Sequence, residues 1–170
     1  MRIALIGAHP ATRLGAPFQN KDWTVWACSA LNMGVLPRCD AWFELHQPMG
    51  LDVRSGQVSA KYAGWLQRQR SVYIRDPNAQ FPGAIPYPEE AMKARFGPFF
   101  FTSSIAYMMA LAVSKLPEEI ALWGVGMHKR DEYENQRPGL HYFVQRAWDA
   151  GIKVTVPPKS RLLEPSEEKW

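Results

Sequence analysis

Two cysteines in 170 residues, Cys28 and Cys39, are too few for a disulfide framework. They are also too few for a structural zinc site, because no further thiols or closely spaced histidines complete four ligands. No carboxylate pair of the D-x-D type follows an apolar run, so no divalent metal is expected. No stretch of the chain is apolar over a membrane-spanning length, and "MRIALIGAHPATRL" is too short in its apolar part for a secretory signal. These absences describe a cytoplasmic protein with reduced, mostly buried thiols. The dinucleotide fingerprint G-x-G-x-x-G is missing after the first apolar run, which disfavours NAD and leaves no cofactor indicated. Internal repeats and low-complexity tracts are missing too.

Charge of one sign is also scarce. Twenty Lys and Arg stand against 16 Asp and Glu, a net charge of +4, and the basic residues are scattered along the chain. The densest basic stretch, "LQRQRSVYIR", holds only Arg68, Arg70 and Arg75 and reads as a solvated face. Nucleic acid is therefore not favoured as a partner, whereas a small anionic ligand is compatible. A homo-oligomer stays open.

What is present is an alternation of short apolar runs and helical patterns. "RIALIG", "DWTVWACS" and "CDAWFELH" read as buried parallel strands, with "ALNMGVLPR" long enough for a short helix between the second and third. A helix is expected around Lys61 to Arg70, and a strand at "SVYIRD". Five prolines between Pro77 and Pro98 leave room there only for a short helix at Glu89 to Arg95. This Pro-rich loop, about 76–98, is the natural place for a lid or binding loop. From Ser103 onward Ile105, Met108, Met109, Ala112 and Leu116 recur at helical spacing, and Pro117 ends the pattern. "EEIALWGVGM" reads as a strand, "YFVQRAWDAG" as a helix closed by Gly151, and "IKVTVP" as the last strand. The order predicts an α/β protein, a single Rossmann-like domain over 1–170 with an open, mostly parallel sheet and helices on both faces. Ligands of such sheets sit at the carboxyl ends of the strands.

The loops after the strands carry the candidate site. After the first strand come Gly7, His9, Pro10 and Thr12, where a glycine lets the backbone approach a ligand or simply makes a turn. After the second, Ser29 and Asn32 can hydrogen-bond a base or ribose, or can cap. After the third, Glu44 and His46 offer a carboxylate and an imidazole able to flank a cleft or to act as a metal pair, although two residues do not specify a metal site. The run "FFFTSSIAYMMALAV" interrupts the most apolar region with Thr102, Ser103 and Ser104. Hydroxyls at a helix start either cap it or, with the free N–H groups and the positive end of the helix dipole, bind an anion. The loop "GVGMHKRDEYENQRPG" gathers Gly124, Gly126, His128, Lys129, Arg130, Asp131, Tyr133, Glu134 and Arg137, the densest set of titratable groups in the chain. His128 fits a general acid or base, with a reference pKa of about 6.5.

"TSSIAYMMALAVSKLPEEIALWGVGM" resembles the helix–strand block of the bacterial sialyltransferases of glycosyltransferase family forty-two and of the related pterin diphosphokinase-like proteins. "GAHPAT", "VWACSALN" with "CDAWFELH", and the late "PPKSRLL" fall where those proteins have their corresponding segments. Undescribed phage proteins look similar over the whole length. The resemblance implies a Rossmann-like fold binding a cytidine nucleotide, with Thr102 and Ser103 near the nucleotide. It also implies Tyr133 near the phosphate and Ser160 as the late serine. The family's catalytic histidine falls near Glu134, with His141 a few residues away. Ala8, Ser29, Ser104 and Gly126 depart from the family's Asn, Asn, Gly and Asp. What is implied is thus a glycosyltransferase-like protein using a nucleotide or nucleotide sugar of the CMP type, with a base drawn from His128, Glu134 or His141 and an unknown acceptor. The alternative is a non-catalytic nucleotide-binding or sequestering protein on the same fold.

Overall fold

In the computed structural model, which describes residues 1–46, 59–75, 81, 83–127, 132–158 and 160–164, the chain builds one parallel sheet of seven strands. Its strands are β1 (Arg2–Ile6), β2 (Trp23–Cys28), β3 (Ala41–Glu44), β4 (Val72–Ile74), β5 (Ile85–Pro86), β6 (Glu119–Trp123) and β7 (Lys153–Thr155), in the order β5-β4-β3-β2-β1-β6-β7. Every neighbouring pair is parallel. The chain therefore steps outward from β1 to β5, returns across the sheet, and resumes beside β1 with β6. That reversal leaves a crevice at the carboxyl ends of β1 and β6, where open α/β sheets take their ligands.

The period-two alternation of β1 sorts the core into two layers. Ile3 and Leu5 pack on one face with α2 (Glu89–Phe96), α3 (Ser104–Ser114) and α4 (Arg137–Asp149). Ala4 and Ile6 pack on the other with Tyr62, Ala63 and Leu66 of α1 (Ala60–Leu66) and with Phe18. Helices thus cover both faces of an α/β, Rossmann-like sheet, as the sequence predicts. Helix α3 is buried almost all round, from Ile105 to Val113, because it lies between the sheet and α4.

Two expectations are corrected in detail. The segment "ALNMGVLPR" forms only a 3-10 turn at Ala30–Asn32. The Pro-rich stretch adds a two-residue edge strand, β5, in parallel register with Tyr73 and Ile74 of β4. Pro86 fits there because an edge strand can dispense with one donor. The expected short helix is present as α2, with Glu89 and Glu90 in its first turn and Lys93 and Arg95 in its last, each complementing the helix dipole. Residues 76–80 and 82 of that stretch lie outside the described residues. Of the two thiols, Cys28 is buried and Cys39 is exposed, and both are free. No helix among the described residues is long and apolar enough to cross a membrane.

Candidate functional site

A cleft of about 910 Å³ runs along the carboxyl edge of the sheet. It spans the loop after β1 (Gly7, Ala8, His9, Pro10), the end of β2 (Cys28, Ser29), the end of β3 (Leu45, His46), Arg75 after β4, and Gly124 to Met127 after β6. The start of α3 closes it from one side through Phe101, Thr102, Ser103, Ser104, Ile105 and Tyr107. Its size is that of a small-molecule site, which falls at about 300–1,000 Å³.

At the switch point the two glycines are needed for contact with each other. A Cβ on Gly7 would lie 2.5 Å from the Gly124 carbonyl oxygen, and one on Gly124 would collide with the Gly7 carbonyl. Gly124 also has a φ of +63°, which L side chains rarely adopt. The amide of His9 donates to the Gly124 carbonyl at 2.7 Å, and Thr12 Oγ1 accepts from the Gly124 amide at 2.9 Å. This lacing holds the two loops together as one wall of the cleft.

The hydroxyl run at α3 divides its work. Ser103 is the N-cap: its Oγ accepts from the Ala106 amide at 3.2 Å, and its carbonyl accepts the first intrahelical bond, from Tyr107. The amides of Ser104 and Ile105 precede that first bond and so have no intrahelical acceptor. The Ser103 hydroxyl uses a lone pair in capping, which leaves its hydrogen for a ligand oxygen. Thr102 is different, since its Oγ1 donates to the Gln136 carbonyl at 3.1 Å. Thr102 fastens the cleft to the turn Glu132–Gln136, and Gly139 of α4 makes room for it: a Cβ there would collide with Thr102 Oγ1 and the Phe100 carbonyl. Phe100 stacks on Tyr142 with centroids 3.8 Å apart, and Phe101 packs on Tyr107 and Phe143. The aromatics before the hydroxyls thus anchor the helix start to α4.

Ser29 has a φ of 77° although it is not glycine, a strained conformation of the kind that surrounding structure must impose. Its Oγ accepts from the Leu31 amide at 3.3 Å. Asn32 does not line the cleft. It is 1% exposed. Its Nδ2 donates to the carbonyls of Gly7 (3.0 Å) and Cys28 (2.8 Å), while its Oδ1 accepts from Arg13. Asn32 therefore ties the end of β1 to the end of β2. Cys28, on the cleft wall, is kept as a neutral thiol, because burial pushes its pKa up to about 12.

At the other end of the cleft lie His46 and Arg75. Glu44, the last residue of β3, is 2% exposed. Its Oε2 accepts from the Tyr62 hydroxyl at 2.8 Å, which in turn accepts from Trp42 Nε1 at 2.8 Å, and its Oε1 pairs with His46 Nδ1. That hydrogen bond raises the His46 pKa above its ordinary value. Burial, then the Glu44 charge, pushes the Tyr62 phenol up, so it stays a donor. Arg75 makes a bidentate pair with Glu89 of α2, both bonds 2.6 Å, and lies over the Tyr107 ring at 5.0 Å. Hydrogen bonds from Arg75 first, then from Lys93, hold the Glu89 carboxyl down at about 2.

The structure brings Gly7, His9, Pro10, Ser29, Thr102, Ser103, Ser104 and Gly124 onto one cleft, together with Gly126 and His46. Asn32, Glu134, His141 and Ser160 are not among its lining residues. Glu134 is exposed on the turn before α4. His141 Nε2 lies 2.6 Å from the Leu162 carbonyl, Arg137 donates to the carbonyls of Arg161 and Glu164, and Ser160 Oγ accepts from the Leu162 amide. Arg137 and His141 thus tie the segment 160–164 to α4, while the Ser160 bond is internal to that segment. His128, Lys129, Arg130 and Asp131 lie outside the described residues, as does the Tyr133 side chain. Arg75 escaped the sequence reading of the site, although it stands directly after a strand, where that reading sought ligand groups. Among the described residues no group of three or more His, Cys, Asp or Glu is placed to hold a metal ion.

No family model and no curated protein matches the chain. Among solved structures it is similar to the sialyltransferase CstII from Campylobacter jejuni. With that enzyme in complex with cytidine-5'-monophosphate the TM-score is 0.59 at 17% identity, over 95% of this chain and 81% of that one. With the same enzyme in complex with CMP-3FNeuAc the TM-score is 0.59 at 16% identity, over 95% and 82%. The fold is therefore sialyltransferase-like.

Proposed function

We propose that the cleft binds a nucleoside monophosphate unit of the CMP type, and that the protein is a glycosyltransferase-like enzyme acting on a nucleotide sugar. The observation that carries this reading is the N-terminus of the eleven-residue α3 opening into the cleft at the switch point of the sheet. There the Ser104 and Ile105 amides, the Ser103 hydroxyl hydrogen and the positive end of the helix dipole converge on one place, which suits a phosphate. Gly7 to Pro10 line the same cleft. Likeness to structures of an enzyme solved with CMP and a CMP-sugar analogue supports the choice of ligand, although fold by itself does not set function.

In this scheme Ser103, Ser104 and the helix amides hold the leaving phosphate, stabilising the charge that builds on it. The cleft aligns donor and acceptor. Tyr133 stays a candidate for the phosphate from the resemblance, and His128 a candidate for proton transfer from its place in the loop after β6 and its reference pKa of about 6.5. Titration calorimetry with CMP, cytidine and inorganic phosphate tests the reading. CMP is expected to bind more tightly than cytidine, and both more tightly than phosphate. Equal, negligible heats for all three at millimolar concentration would refute it. Tight CMP binding with no turnover of any CMP-linked sugar would select the non-catalytic alternative.

A further inference from the structure

A glycosyl transfer to a hydroxyl releases a proton, and the helix start at α3 has no base to take it. We propose that His46 is the proton acceptor of this cleft and that Glu44 positions it; the proposal rests on the nucleotide-sugar reading of the same site.

Glu44 and His46 are two residues apart at the end of β3, so the strand fixes the carboxylate and the next turn returns the imidazole to it. The carboxylate is buried, yet each of its oxygens has a donor. Oε2 takes the Tyr62 hydroxyl at 2.8 Å, and Oε1 takes His46 Nδ1 and, at 3.3 Å, the His46 amide. Tyr62 is itself held by Trp42 Nε1 and stacks on Trp65, which meets the Trp42 ring edge-on. A carboxylate accepts only, so the neutral imidazole must carry its proton on Nδ1 and present the lone pair of Nε2. The ring lines the cleft and its side chain is 67% exposed. A buried charge is expensive unless it is paired, and here one partner of the buried carboxylate is a solvent-reaching base in a ligand-sized cleft. A purely structural pair would have no need of that placement.

The chemistry balances with a nucleotide sugar and an acceptor hydroxyl, from a sugar or from water. The hydroxyl oxygen forms a bond to the glycosyl carbon as the carbon–oxygen bond to the phosphate breaks. The electron pair of that bond leaves on the nucleoside monophosphate. The hydroxyl proton passes to His46 Nε2, the resulting imidazolium is stabilised by Glu44, and the proton is then released to water.

Among the described residues the other charged or titratable groups on this cleft are His9 from the β1 loop, the neutral Cys28 thiol from β2, Arg75 from after β4 and Tyr107 from α3, with Tyr62 behind the pair on α1. Arg75 is ion-paired with Glu89. At His46 the hydrogen bond to Glu44 outweighs the opposing effect of burial and raises the pKa. A base must be unprotonated to work, so kcat/KM should rise with pH through a midpoint above about 6.5, the ordinary histidine value. In Glu44→Gln that midpoint should move down.

Two measurements on the full chain test this. Nitrogen-15 NMR of the imidazoles should show neutral His46 protonated on Nδ1, titrating above the ordinary value, and lowered in Glu44→Gln. Release of CMP from CMP-linked sialic acid, with water or lactose as acceptor, should fall roughly 100-fold or more in His46→Gln, while CMP affinity by calorimetry stays within about two-fold. His46→Gln keeps the assay informative if Glu44→Gln does not fold. A neutral His46 protonated on Nε2, a titration unmoved by Glu44→Gln, or undiminished CMP release by His46→Gln would each overturn the proposal. So would wild-type protein that binds CMP but releases none from the donor. Failure of CMP itself to bind would instead remove the nucleotide reading, and this proposal with it.

Discussion

At the scale of the residue, what a hydroxyl can do for a ligand depends on what it already does for the protein. Ser103 caps α3 through a lone pair and keeps its hydrogen, whereas Thr102 has given its hydrogen to the Gln136 carbonyl. Ser103→Ala should therefore lower stability by about 0.5–2 kcal/mol and also weaken CMP binding by ~1–3 kcal/mol. Thr102→Ala should act on affinity only indirectly, by loosening the turn before α4, so its effect on CMP should be the smaller of the two. Denaturant unfolding and calorimetry of the two variants check this order. Equal affinity losses would show that Thr102 meets the ligand directly. Ser29 offers a second test. Its φ of 77° costs about 1–3 kcal/mol in a non-glycine residue, so Ser29→Gly should raise stability, by about 1 kcal/mol once the lost bond to the Leu31 amide is deducted. A lower melting temperature would mean that the conformation is not strained. The candidate residues legible in the sequence were those whose position after a strand decides their neighbourhood, such as Gly7, Ser29 and Gly124. Asn32 and His141 were not legible as tethers, because the carbonyls they meet, of Gly7 and Leu162, are distant in sequence.

At the scale of the element, two contacts between a helix and its neighbour help to hold the cleft in shape. The first joins the end of β4 to the start of α2 through Arg75 and Glu89, both of whose side chains are mostly shielded. The Glu89 carboxyl is depressed from 4.5 to about 2, so the pair stabilises the fold above pH about 4.5, and that contribution is lost as pH falls toward about 2. Glu89→Gln should lower stability at neutral pH and flatten the acid limb of a pH–stability curve between those values. An unchanged acid limb would place the carboxyl's partners elsewhere. The second contact is the seat of α4 against the segment before α3, where Gly139 leaves space for Phe100 and Thr102. Gly139→Ala should cost about 1–3 kcal/mol through overpacking and weaken CMP binding along with it, since the helix start is displaced. Stability retained with full affinity would show that α4 can shift without moving α3. The apolar runs and the 3.6-residue pattern made β1, β2, β6, α3 and α4 readable in advance, because each buries a continuous stripe. β5 was not readable, since two residues that include a proline carry no period. Nor was the short turn at Ala30–Asn32, which ordinary loop composition does not separate from a helix.

At the scale of the whole molecule, the sheet order makes the site. A chain that steps out to β5 and returns to pair β6 with β1 must leave a crevice at their carboxyl ends, and the crossing helix α3 brings its N-terminus there. The alternation of strands and helices predicted this class of fold, and the sialyltransferase-like likeness agrees with it at 17% identity. The depth of the cleft, and the way it extends from Gly124 at one end to His46 and Arg75 at the other, depended on packing that no local pattern records. If the α3 end of this cleft holds the phosphate of a nucleotide, isotope-edited NMR of the backbone amides during titration with CMP will register it there. The amides of Ser104 and Ile105 should shift most, saturating with CMP and moving far less with cytidine. Saturable shifts that leave those two amides unmoved, or identical shifts with cytidine, would contradict it.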